Sequence, residues 1–74
     1  MTRIEFGVIS VVQRRLDRAD VRLDDTLSSL DADSLDLIDL VLECEEKFRV
    51  KIPEDSLGSI ETVRDLAGAV LVKM

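Results

Sequence analysis

The segment SLDLIDLVLECEEKF, Ser34 to Phe48, repeats its apolar residues with a helical period but sets them on two faces rather than one. At about 100° per residue, Leu37, Leu40, Val41, Cys44 and Phe48 share an arc about 100° wide, an ordinary core stripe. Leu35, Ile38 and Leu42 gather on a second arc, roughly opposite Leu40. Glu45 borders that arc on one side and Asp39 and Glu46 on the other, with Asp36 and Glu43 further round. Such a helix is either buried on both sides or keeps one stripe for something outside the fold. A chain of 74 residues holds too few helices for a sandwich. The second arc therefore reads as a docking face, with apolar anchors to desolvate and a carboxylate rim that orients the encounter.

The rest of the chain supplies what the first arc packs against. Ile4, Val8, Val11, Val12 and Leu16 predict an amphipathic helix over 3–16, with Thr2 as N-cap and Glu5 completing a capping box. From Asp17 to Asp33 no helical stripe is sustained, and Val21, Leu23, Leu27 and Leu30 are expected to pin a long loop. Pro53 opens a short helical turn that Gly58 is expected to close. Thr62 and Asp65 then cap a last helix over 63–72, with Val63, Leu66, Ala67, Val70 and Leu71 facing inward. No strand or repeat is visible. The fold class is all-α: a small bundle of three main helices and one short one, with a long loop between helices 1 and 2, in a single domain over 1–74.

Composition removes whole classes of function. Histidine is absent and cysteine occurs once, so internal disulfides, the usual zinc sites and histidine-based dyads and triads are excluded. Cys44 lies on the core stripe and reads as a small buried hydrophobe. The net charge of −6, with two Phe and no Trp or Tyr, excludes the basic or aromatic surface that nucleic acid needs. No apolar run is long enough to span a membrane, and the start lacks a secretion signal, so a cytoplasmic monomer is expected. The charge is uneven: residues 1–23 hold five basic and three acidic side chains, residues 24–74 five basic and thirteen acidic ones. The acidic part suggests basic partners. It also crowds one helix, where Lys47 is the only cation among six carboxylates counted from Asp33, and repulsion is expected to cost stability.

Ser34 stands between Asp33 and Leu35 where that helix begins. Either Asp33 is the cap and Ser34 the first helical residue, or Ser34 is the cap. In both cases its hydroxyl sits at a helix N-terminus, where free N–H groups and the macrodipole favour negative charge. A calcium loop counted from Asp31 fails, because Leu35, Asp36 and Leu42 occupy positions that need an acid or amide, Gly and Glu. Serine-hydrolase chemistry fails for want of histidine and of a G-x-S-x-G elbow.

The run DADSLDLIDLVLECEEKF resembles the carrier motif of acyl carrier proteins, a D-S-L centre followed by an acid-studded helix ending in E-E-x-F. The likeness continues through IPEDSLGSIETVRDL and holds without a gap from Leu30 to Leu66. It implies a 4'-phosphopantetheine arm from coenzyme A, joined to Ser34 beside Asp33 by a phosphopantetheinyl transferase, with an acyl group held as a thioester on its thiol. It also implies that Leu35, Asp36, Ile38, Asp39, Leu42, Glu45 and Glu46, together with Asp33, meet basic patches on acyl-loading and biosynthetic enzymes. Leu40, Cys44, Phe48, Ile52, Leu57, Ile60 and Leu66 would line the space for the acyl chain. Such a protein is not an enzyme but a tether, whose value is effective concentration. The pathway implied is fatty-acid, polyketide or specialised lipid synthesis; an aminoacyl carrier and a cofactor-free acidic interaction module are the alternatives. The chain departs from the family at Asp31, where Gly is usual, at Leu37 and Glu43, in a shorter first loop, and in its net positive first third. These departures favour a specialised carrier.

Overall fold

The computed structural model describes residues 1–74. In chain order it has α1 (Arg3–Leu16), a 3-10 helix (Ser28–Leu30), α2 (Ser34–Phe48), a second 3-10 helix (Glu54–Ser59) and α3 (Val63–Val72). The α-helices occupy the spans that periodicity predicts because each opens with a complete capping box: Thr2 with Glu5, Asp33 with Asp36, and Thr62 with Asp65. Two of these boxes leave an electrostatic mark. The Glu5 carboxylate accepts from the Thr2 N–H at 2.8 Å, and Asp65 accepts from the Glu61 and Thr62 N–H groups at 3.0 and 3.1 Å. These bonds hold both carboxyls below their usual range. Their stabilising effect is thus complete above the ordinary carboxylate range and is lost as pH falls through the lowered values.

α1 and α2 run antiparallel, with Gly7 against Phe48 at one end and Arg14 and Arg15 against Glu43 and Asp39 at the other. A Cβ on Gly7 would lie 2.6 Å from Phe48 Cζ, so the missing side chain is what lets that ring lie against α1. α1 touches both α2 and α3. Its buried arc is correspondingly wide and takes in Ile9, which the simple stripe leaves out. No polar or charged residue is buried as a whole, so the core is built of apolar side chains.

The 17–33 segment is held at both levels expected of a packed loop. Val21, Leu27 and Leu30 are buried and Leu23 is half-buried against the core. Backbone bonds then stitch it to the start of α3: Val63 N–H donates to the Asp25 carbonyl at 3.0 Å, Arg64 N–H to Leu23 at 2.9 Å, and Leu27 N–H to Glu61 at 2.8 Å.

The structure corrects the sequence reading in four places. The loop contains a 3-10 turn, Ser28–Leu30, in place of purely irregular chain. The second 3-10 helix continues through Gly58 to Ser59, and Gly58 does not take the left-handed conformation of a closing glycine. Leu71 is 41% exposed rather than inward, because it lies at the edge of the arc set by Val63, Leu66 and Val70 in the last turn of α3. Lys47 is not the only cation beside the acids of α2, because Arg14 and Arg15 of α1 stand against Asp39 and Glu43.

Left-handed backbone falls at Asp17 (φ 54°), Asp31 (φ 63°) and Arg49 (φ 56°), each just past a helical element. At Arg49 the side chain costs about 1–2 kcal/mol in this conformation, of which glycine recovers part. Arg49→Gly is expected to raise stability by about 0.5–1 kcal/mol. Gly68→Ala, inside α3 with nothing within 4 Å of the new Cβ, is expected to add about 1 kcal/mol. Urea midpoints measure both, and a lower midpoint for Gly68→Ala would contradict the open space described at that position.

Candidate functional site

The start of α2 carries the one side chain whose chemistry composition could not exclude. Asp33 is the cap, with extended backbone, and its Oδ1 accepts from the Asp36 N–H at 2.9 Å. Asp36 Oδ2 in turn accepts from the Asp33 N–H at 3.1 Å. Of the two capping arrangements open to the sequence, this one makes Ser34 the first helical residue. Both aspartates are occupied with the backbone, while Ser34 is exposed and its hydroxyl has no hydrogen-bond partner in the chain. The N–H groups of Ser34 and Leu35 are also unpaired. A phosphate ester on Ser34 Oγ would meet free N–H groups and the positive end of the helix dipole, so the residues present fit a phosphodiester.

A hollow of about 470 Å³ opens beside Ser34, between the Thr26–Ser28 loop, Leu37 of α2 and the Ile60–Glu61 connection. On the other side of α2, Ile38, Val41, Leu42, Ile52 and Leu57 line a more apolar groove of about 310 Å³, with Glu45, Lys51 and Glu54 at its edges. The seven residues expected to line one acyl space do not share one. Ile60 borders the hollow, and Ile52 and Leu57 border the groove. Leu40, Cys44 and Leu66 are sealed in the core, and Phe48 lies at the far end against Gly7. Burial pushes the Cys44 thiol up to about 11, so it stays protonated and inert at neutral pH.

The second stripe of α2 stands on the surface. Leu35 is 72% exposed, Leu42 56% and Ile38 43%, against 0% for Leu40. The acids around it differ from one another in ways the sequence did not reveal. Asp36 is held in the capping box. Asp39 lies 3.5 Å from Arg15, and Glu43 contacts Arg14 and lies 3.6 Å from Arg15. Glu45 turns one oxygen inward to accept from the Ile52 N–H at 2.7 Å, tying α2 to the chain that follows. Among the acids of α2, Glu46 alone has neither an ion pair nor a hydrogen bond. Arg14 and Arg15 are the functional candidates missed from sequence; adjacent arginines closing an amphipathic helix were the only signal.

Residues 7–70 match the family model described as a phosphopantetheine attachment site. The chain belongs to the acyl carrier protein family. It is 39% identical over 61 residues to an acyl carrier protein of Brachyspira hyodysenteriae, covering 77% of this chain and 78% of that one. Against the acyl carrier protein of Zymomonas mobilis it is 56% identical over 39 residues, spanning 53% of this chain but only 50% of the relative. A solved acyl carrier protein structure from Thermotoga maritima superposes with a TM-score of 0.80 at 27% identity, over 92% of this chain and 82% of that one. As a member of this family the chain bears covalent 4'-phosphopantetheine, and the relatives that it matches are acyl carrier proteins. No helix in it is long and apolar enough to cross a membrane.

The two stripes of α2 predict opposite responses to truncation. Leu40→Ala should cost about 2–5 kcal/mol, whereas Leu42→Ala should stay within about 0.5 kcal/mol. Thermal melts of the two variants check this, and large, similar losses in both would return the second stripe to the core.

Proposed function

We propose that Ser34 is the attachment point of the arm and that the carrier presents an acyl group on it to successive biosynthetic enzymes. One observation carries this reading: an exposed, unbonded hydroxyl on the first residue of α2, next to two unpaired backbone N–H groups. In the transfer step the Ser34 hydroxyl loses its proton and forms an ester bond to phosphorus. The bond between that phosphorus and the nucleotide half of coenzyme A breaks, and adenosine 3',5'-diphosphate leaves. Asp33 and Asp36 hold the helix start rigid throughout, and neither is needed as a base within the carrier itself. The thiol of the arm then holds the acyl group as a thioester.

The exposed arc of Leu35, Ile38 and Leu42 supplies the apolar part of docking, and Asp33, Asp36, Asp39, Glu45 and Glu46 the acidic setting for basic patches on a phosphopantetheinyl transferase and on acyl-loading and biosynthetic enzymes. The apolar groove at Ile38, Leu42 and Leu57 suits a lipid-like acyl chain better than an aminoacyl group. We place the carrier in the cytoplasm, as a monomer, in fatty-acid, polyketide or specialised lipid synthesis.

Incubation with coenzyme A and a broad-specificity phosphopantetheinyl transferase should add one phosphopantetheine mass to the intact protein. Ser34→Ala should gain none, yet keep its helical circular dichroism, because Asp33 and not Ser34 is the cap. An Ala variant that still takes up the mass would move the attachment elsewhere.

A further inference from the structure

The ion pairs between α1 and α2 bear on which partners the carrier accepts. Arg14 and Arg15 sit in the last turn of α1, where the helix dipole favours cations. The antiparallel arrangement brings them onto Asp39 and Glu43 in the middle of α2. Glu43, with a side chain only 21% exposed, contacts both arginines. The arginines themselves stay largely in solvent, at 66% and 45%. On this side of the exposed Leu42 the two cations therefore offset two of the three carboxylates: Arg14 and Arg15 stand against Asp39 and Glu43, and Glu46, which lines the same shallow recess, stays unpaired. On the opposite side of Leu42 the groove edge carries Lys51, Glu45, which is bound to the Ile52 N–H, and Glu54, which has no ion pair and no side-chain hydrogen bond. Ion pairs whose cations stay in solvent in this way add little to stability. Their positive charge nonetheless remains on the face whether or not a given pair is closed at a given moment.

We infer that Arg14 and Arg15 are specificity determinants: they interrupt the acidic stripe of α2 at Asp39 and Glu43, so that a partner with a continuous basic patch along the helix docks weakly. A matching partner places single basic groups on the unpaired Glu46 and Glu54 and leaves no cation opposite Arg14 and Arg15, which share the recess with Glu46. This rests on the proposed carrier reading, since it concerns the surface that meets the enzymes acting on Ser34.

The test measures kcat and KM for phosphopantetheinyl transfer to the carrier by a broad-specificity transferase with a basic docking surface. Arg14→Ala with Arg15→Ala should lower KM roughly three- to tenfold at low ionic strength, with kcat unchanged, and the gap should close at high salt. Arg14→Lys with Arg15→Lys keeps the charge and should match the unmodified sequence. Arg3→Ala with Arg22→Ala makes the same change in net charge at two arginines that form no ion pair with α2 and should give a smaller effect. Adding Asp39→Asn and Glu43→Gln should reverse the gain in the double-alanine background. An unchanged or raised KM in the double-alanine protein, or an equal gain in the Arg3 and Arg22 control, overturns the inference while leaving the carrier reading intact. A starting protein that takes up no phosphopantetheine at all overturns the carrier reading and this inference with it.

Discussion

The start of α3 is completed by a loop that lies some forty residues earlier in the chain. Val63 is fully buried, and its N–H and that of Arg64 have no partner within their own helix. The carbonyls of Asp25 and Leu23 take both, and Thr62 Oγ takes the third, from Asp65. A buried donor left unpaired costs about 1–3 kcal/mol, so the loop and α3 form only together. The consequence reaches Ser34. The same loop buries Leu27 and Leu30, and the Leu27 carbonyl accepts from the Ala32 N–H at 2.9 Å, which brings the chain to Asp33 in the extended conformation a cap requires. The attachment candidate is thus positioned by the far end of the chain as much as by its own helix.

Charge in this protein is arranged rather than merely abundant. The carboxylates of Glu5, Asp33, Asp36 and Asp65 serve helix starts, Glu45 fastens the turn after α2, and Asp39 and Glu43 meet arginines. Few of the acids that look equivalent in the sequence remain free to address another molecule. The first 23 residues, with five basic and three acidic side chains, supply the cations that meet Asp39 and Glu43. These pairs change the pattern of charge along α2 and add little to stability, because the arginines stay in solvent.

Asp31 shows the same economy in the backbone. The family resemblance puts a glycine here, and the residue does sit in left-handed backbone at φ 63°. Aspartate tolerates that region better than most side chains, and its carboxylate lies 3.8 Å from Arg18. The turn before Ser34 therefore keeps its shape without the glycine.

The three long helices, the caps of α1 and α3 and the division of α2 into an inward and an outward stripe were legible in the sequence. Each depends on contacts within four residues or on a period of 3.6, and both are local properties. The Ser34 motif was legible for the same reason: its serine, flanking acids and following helix are contiguous. What escaped was non-local. The 3-10 turn at Ser28–Leu30 has too few residues for a periodic signal and exists because Leu30 is drawn into the core. Leu71 has the right residue type for the core but lies at the edge of the buried arc, on a side no neighbouring helix covers. The sequence by itself determined where helices start and which faces are apolar. Only the tertiary structure decided which carboxylates are spent and which remain open, because that depends on how α1 lies against α2, and a charge is neutralised by what stands beside it in space rather than in the chain.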